Sequence, residues 1–231
     1  MIPIRDVIPS RTTPYVTFSL ITANGLAFLY QLLVDDDGLN QLIATYALVP
    51  AGITGLGLPG IVTSMFLHAG PAHLLGNMLF LWIFGDNVED RFGHGRFLIF
   101  YLAAGVAANL AQVLASPHSF IPILGASGAI AAVMGAYFVL FPRSRVVMLI
   151  WLILYVDFVE IPAVLFLGFW FIFQFIGSIG QTADAAAGGV AFAAHLGGFI
   201  VGVALGRLLA RRERTRVDWW DGQPPTRPAL P

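Results

Sequence analysis

Apolar runs of membrane-crossing length, repeated along one chain, constrain this fold more than any other feature. Six such segments run from about Tyr15 to Val34, Pro71 to Asn87, Phe97 to Ser116, Leu124 to Phe141, Pro162 to Gly180 and Gly189 to Ala210. Each is near the ~20 residues a helix needs to cross the hydrocarbon core, where it satisfies its own backbone polar groups. Composition agrees: 11% of residues are charged, against roughly 25% in a soluble domain. A soluble fold this poor in charge could not cover its surface. The expected architecture is an all-α polytopic membrane protein with six transmembrane helices. Residues 1–14 form a cytoplasmic N-terminal segment, 15–210 the six-helix membrane domain, and 211–231 a basic, proline-rich cytoplasmic tail. Arg5 and Arg11 ahead of an apolar run imitate a signal peptide. The run is too long for one, and Asp35, Asp36 and Asp37 follow it instead of a small-residue cleavage site, so an uncleaved first span is expected.

The arginines orient the chain. There is no lysine, and with six spans and an inside N-terminus all 12 basic residues fall on the cytoplasmic side. Arg91, Arg96, Arg143 and Arg145 lie in the inner loops, and the cluster from Arg207 onward lies at the end. A seventh span would move half of them outside, against the positive-inside bias. Val146 to Val156 is apolar and rich in β-branched residues but short for a span, and is read as an interfacial or re-entrant segment within a loop. Asp35 to Asp37 and Asp184 fall in outer loops. The first loop, about Asp35 to Gly70, ends in an apolar piece, Ile61 to Leu67, expected to dip into the interface. The tail, with Trp219 and Trp220, reads as disordered or interfacial.

Several function classes drop out. The chain has no cysteine, which excludes disulfides, thiolate catalysis and Cys-ligated zinc. A net charge of −1 without a basic stripe gives no sign of nucleic acid, and neither a metal nor another cofactor is indicated. The absence of internal repeats disfavours a small transporter.

Polar groups inside spans are costly and mark function or interhelical bonding. Three groups stand out: His73 and Asn77 in the second segment, Ser127 in the fourth and His195 in the sixth. Each lies toward the N-terminal end of an even-numbered segment, and in the six-span topology those ends all point outward. A hydroxyl, an imidazole and an amide thus reach a similar depth on one side. Ser127 stands within Gly125-Ala126-Ser127-Gly128, where flanking glycines expose backbone N–H groups at a helix start, an arrangement suited to an oxyanion. His73 and Asn77, four apart, share a helix face. Gly198, Gly202 and Gly206 continue the face of His195, while Ser127, Ala131 and Gly135 form a small-residue stripe on the fourth segment. Such stripes let helices approach closely in lipid, as a serine–histidine hydrogen bond requires. Ordinary helix packing would use the same residues.

His73-Leu74-Leu75-Gly76-Asn77, Gly125-Ala126-Ser127-Gly128 and Ala194-His195-Leu196-Gly197-Gly198 followed by Gly202 resemble the HxxxN, GxSG and AHxxGxxxG motifs of the rhomboid family, in order and on the second, fourth and sixth spans. The resemblance, to the bacterial six-span type, extends from about Tyr15 to Ala210. It implies an intramembrane serine endopeptidase whose partners are the lipid bilayer and transmembrane protein substrates. Ser127 would be the nucleophile and His195 the general base and acid; His73, Asn77 and the Ser127 backbone N–H would form the oxyanion site. Gly125, Gly128, Gly198 and Gly202 would serve helix packing, and Glu89, Arg91 and Gly93 would match a structural acidic-basic loop. His68, five residues before His73, is read as a support of the pocket.

Two features depart from the family pattern. Ala131 stands where many members carry a tyrosine that stacks on the histidine, and the first loop lacks a Trp-Arg pair. The motifs therefore do not say how the ring of His195 is held. The expected location is the cell (inner) membrane, both termini cytoplasmic, with the site opening outward. The alternatives are an inactive rhomboid-like factor that handles membrane proteins, or a small transporter. Oligomeric state, substrate identity and cleavage position are not written in the sequence.

Overall fold

Helix ends fall where the chain offers a cap or a break. The structure, a computed structural model, describes residues 2–52, 59–152, 155–180 and 191–211. After strand β1 (Ile2–Asp6), helix α1 (Tyr15–Leu33) starts behind Pro14 without a side-chain cap of its own. Helix α2 (Asp36–Tyr46) is capped by Asp35, whose Oδ1 accepts from the Gly38 N–H at 2.9 Å. Asp36 and Asp37 occupy its first turn, where the helix dipole favours negative charge. Three aspartates read as loop acids are thus a helix start. A short turn, α3 (Gly60–Thr63), continues as 3-10 helix over Ser64–Phe66. Helix α4 (Pro71–Phe92) opens with proline at its first position, where a missing N–H costs nothing. Then come α5 (His94–Ala115), α6 (Ser127–Leu140), strands β2 (Arg145–Leu152) and β3 (Tyr155–Pro162), α7 (Ala163–Gly180) and α8 (Phe192–Leu209).

Each of the six apolar segments lies on a helix. By length and composition α1, α5 and α8 are long and apolar enough to cross a membrane; α6 and most of α7 are shorter apolar helices. α4 is equally long but carries Asp86, Glu89, Asp90 and Arg91 near its C-terminal end. Large apolar side chains, such as Leu29, Ile99, Leu114, Phe169, Phe173 and Leu208, stand exposed around the bundle. Lipid accounts for such a belt; water does not.

The fold is not purely helical, which corrects the all-α expectation. β1, β2 and β3 form one antiparallel sheet in that order. The described residues between Val146 and Val156 lie on two paired antiparallel strands, with Val146 opposite Ile161 and Trp151 opposite Val156, instead of a re-entrant piece. β-Branched and aromatic side chains suit a pleated, half-buried surface, and here Val146 and Met148 turn into the core. The N-terminal residues complete the sheet, Ile2 opposite Leu149 and Asp6 opposite Val146. Asp6 ties the sheet to the bundle. Its Oδ2 accepts from the Tyr137 hydroxyl of α6 at 2.6 Å and from Asn87 Nδ2 of α4 at 3.0 Å. Burial pushes the Asp6 carboxyl up to about 7, partly offset by the Tyr137 hydrogen bond.

Two further expectations change. Glu89 and Arg91 lie in the last turn of α4, not in a loop. Fully buried Glu89 accepts from the Val16 and Thr17 N–H groups at 2.9 and 2.7 Å and from Thr17 Oγ1 at 2.7 Å. It caps α1 from another helix, supplying acceptors for first-turn donors that have no intrahelical partner. Gly93, at φ +79, then makes the sharp passage into α5 that a side chain would strain. The piece from Ile61 to Leu67 enters the bundle: Ser64, Met65 and Leu67 are buried, and Met65 packs against Gly105 of α5. Asp184, Trp219 and Trp220 lie outside the described residues.

α6 occupies the centre. Every residue from Gly128 to Tyr137 is buried, which its small side chains permit with helices on several sides. Against α8 the backbones touch: an added Cβ at Gly198 would meet the Gly128 carbonyl, at Gly202 the Ala132 carbonyl, and at Gly135 the Phe199 carbonyl. Gly206 faces Ala136 and Val139. The glycine stripe of α8 therefore lies on α6 as its spacing suggests, although the facing positions are Gly128, Ala131, Ala132 and Ala136 more than Ser127 itself.

Candidate active site

Ser127 is the first residue of α6, half-buried, and follows a tightly pinned turn. Gly125 has φ +123, a conformation side chains rarely adopt. Its N–H donates to the Ser64 carbonyl at 2.9 Å, and just upstream Leu48 and Ile123 exchange backbone hydrogen bonds at 3.3 and 2.8 Å. Asn109 of α5 secures the other side of this support, donating to Ile61 O at 2.7 Å and Ser64 Oγ at 3.1 Å. The long first loop thus acts as the brace for the serine turn.

That turn lies against the amide and imidazole of α4. A Cβ on Gly125 would sit 2.7 Å from His73 Cε1, 2.9 Å from His73 Nε2 and 3.5 Å from Asn77 Nδ2. Only glycine leaves this approach open. Asn77 is buried, and its Nδ2 has no hydrogen-bond partner among the described residues. A buried amide donor without a partner costs about 1–3 kcal/mol. His68 stands edge-on to His73 with ring centroids 5.2 Å apart. Its backbone is clamped by Gln31, which accepts from the His68 N–H at 3.0 Å and donates to its carbonyl at 2.9 Å.

His195 lies in the first turn of α8, buried, with its backbone N–H on the Ala191 carbonyl at 3.2 Å. This helix start also has no side-chain cap of its own. Gln112 of α5 supplies one, Oε1 accepting from the Ala194 N–H at 3.2 Å. Gly128 carries α6 past this turn, with its ideal Cβ position 3.8 Å from both Ala194 Cβ and Ala194 O and 2.7 Å from Ala108 Cβ of α5. Ser127 and His195 therefore stand next to residues in direct interhelical contact. The Ser127 hydroxyl has no hydrogen-bond partner among the described residues.

The sequence reading passed over the partners of the histidine. Gln174 of α7, also buried, places Oε1 2.7 Å from His195 Nδ1. Trp170, one turn earlier, covers the ring with centroids 5.8 Å apart at 37°. The available signal was the one that flagged His73 and Ser127: Gln112 and Gln174 are also polar residues within apolar runs.

The rhomboid domain family matches residues 57–212. The chain belongs to the rhomboid family. It is 36% identical over 170 residues to Rhomboid-like protein 11, chloroplastic, of Arabidopsis thaliana, covering 68% of this chain and 54% of that protein. To Rhomboid protein 1, mitochondrial, of Saccharomyces cerevisiae it is 31% identical over 158 residues, 65% of this chain and 42% of the relative. To Rhomboid protease GluP of Bacillus subtilis it is 47% identical over 76 residues, 33% of this chain and 14% of the relative. The matched stretch spans about half the length of these relatives or less. With its apolar helices, this rhomboid is an integral membrane protein.

Proposed function

We propose that this rhomboid is an intramembrane serine endopeptidase of the bacterial six-span type. Both termini would face the cytoplasm, and the site would open to the outer face of the cell membrane. The observation that carries the reading is Asn77 Nδ2, buried and without a partner among the described residues, beside His73 and the Gly125 turn that precedes Ser127 by two residues. A buried donor held open next to a helix N-terminus is what a developing oxyanion needs.

In this mechanism His195 Nε2 takes the Ser127 proton as Oγ attacks a peptide carbonyl. The negative oxygen is received by Asn77 Nδ2, His73 and the Ser127 N–H, which, as a first-turn donor of α6, has no intrahelical acceptor. His195 returns the proton to the leaving amine, and water then hydrolyses the acyl-enzyme by the same steps in reverse roles. Substrates would be transmembrane proteins whose helices unwind near the outer end, because a carbonyl bonded within its own helix cannot reach Ser127.

The test is cleavage of a model transmembrane substrate by the wild type, Ser127→Ala, His195→Ala and the double variant. Both singles should abolish turnover, and the double should be little worse than either, because a catalytic pair acts as a unit. A serine-directed fluorophosphonate should label Ser127 only in variants that retain it. Near-wild-type cleavage by Ser127→Ala would remove the nucleophile. A folded wild type that neither labels nor cleaves would favour an inert, membrane-protein-handling rhomboid.

A further inference from the structure

The motifs leave the histidine ring unsupported, and α7 provides what they omit. For His195 to accept the Ser127 proton at Nε2, the ring must carry its own proton at Nδ1. A neutral imidazole in a buried site holds either tautomer unless a neighbour selects one. The only hydrogen bond to the His195 ring among the described residues joins Nδ1 to Gln174 Oε1, at 2.7 Å. An amide oxygen can only accept, so the Nδ1–H form is the one it holds. Trp170 lies four residues earlier on α7, on the same helix face, and covers the ring with its indole. One helix thus sets both the tautomer and the plane of the imidazole. Trp170 also stacks near Phe199, one turn beyond His195 on α8, with centroids 6.1 Å apart, which keeps the indole in register with that helix.

We infer that Gln174 is a positioning residue for His195, holding its Nδ1–H tautomer so that Nε2 faces Ser127, with Trp170 fixing the ring plane. This rests on the dyad reading and extends it by a third, neutral member. An acid in this place would attract the imidazolium by charge. An amide orients the ring and offers the transition state a dipole only. Trp170 adds to that stabilisation, because its ring centroid is within the ~6 Å over which an indole face attracts a cation. α7 therefore belongs to the catalytic apparatus although it contributes no group that touches the scissile bond.

The experiment uses the full chain in detergent with 15N-labelled histidine, comparing wild type, Gln174→Met and Gln174→Glu. Imidazole 15N shifts report the tautomer without any need for activity, and His195→Ala identifies the signal. The wild type should show the Nδ1–H form. Gln174→Met should show a mixture and lose roughly tenfold in kcat, about one hydrogen bond's worth, while KM changes less than twofold. Gln174→Glu restores an acceptor, so it should recover the tautomer and part of kcat. Its carboxylate should also move the acid limb of the pH–rate profile to higher pH. Lower thermal stability with an unchanged tautomer in Gln174→Met and an unmoved profile in Gln174→Glu would make Gln174 a packing residue and overturn the inference. Wild-type kcat in Gln174→Met, with cleavage still dependent on Ser127, would overturn Gln174 alone. Cleavage by Ser127→Ala at the wild-type rate would instead bring down the dyad, and the catalytic role of Gln174 with it.

Discussion

Replacing Gly198 with valine asks whether backbone contact between α6 and α8 sets the geometry of the dyad. A Cβ at Gly198 overlaps the Gly128 carbonyl oxygen and lies 3.3 Å from Ala131 Cβ. The first of these is backbone and cannot rotate away, so the overlap is relieved only if the helices part, by about 1 Å for a clash of this kind. Overpacking of a dense interface costs about 1–3 kcal/mol. For a chain of this size each kcal/mol corresponds to roughly 2–4 °C, so the thermal midpoint should fall by about 2–12 °C. The effect on turnover should be larger. Gly198 stands one turn from His195 and against the residue after Ser127, and a displacement near 1 Å can cost on the order of 10²-fold in rate. The assay is kcat on a model transmembrane substrate together with the midpoint in detergent. Ala204→Val serves as control, since Ala204 is exposed on another face of α8. Gly198→Val folded and turning over at the control's rate would refute the claim that this contact sets the dyad distance.

Two other outcomes test separate parts of the molecule. Asn77→Ala should lower kcat by roughly 10²–10³-fold, as loss of one oxyanion donor does, with little change in KM; a change in KM alone would reassign Asn77 to substrate docking. Asp6→Asn should remove a pH dependence of stability. The folded protein holds the Asp6 proton up to about 7 and the unfolded chain only to about 3.8. The contribution is thus complete below pH 4 and lost as pH rises toward 7. The wild-type midpoint should fall relative to Asp6→Asn across that window and run parallel above it, and a parallel course throughout would mean that Asp6 is not buried as a proton-holding group.

Sequence alone determined the class of solvent and the helices, and it singled out the candidate groups for chemistry. Apolar runs near the length of a bilayer, nearly bare of charge, must bury their backbone bonds within themselves, so each of the six segments lies on a helix whatever its neighbours do. His73, Asn77, Ser127 and His195 stood out because a polar side chain in such a run is costly enough to need a reason. The glycine spacing on α8 likewise carried its packing face, since small residues every fourth position leave a groove in which only another backbone fits. What the tertiary structure decided are interactions between groups far apart in the chain, for which local pattern carries no signal. The segment of β2 and β3 was short, apolar and ambiguous until β1, from the N-terminal residues, completed its sheet. Glu89 reads as one more acid near a helix end, yet it caps α1 because that helix start, behind Pro14, has donors and no cap of its own. Gln174 reads as a stray amide in an apolar helix. Its meaning depends on the rotation of α7 about its own axis, which packing against α8 sets and which brings its oxygen to the one ring nitrogen the motifs left without a partner.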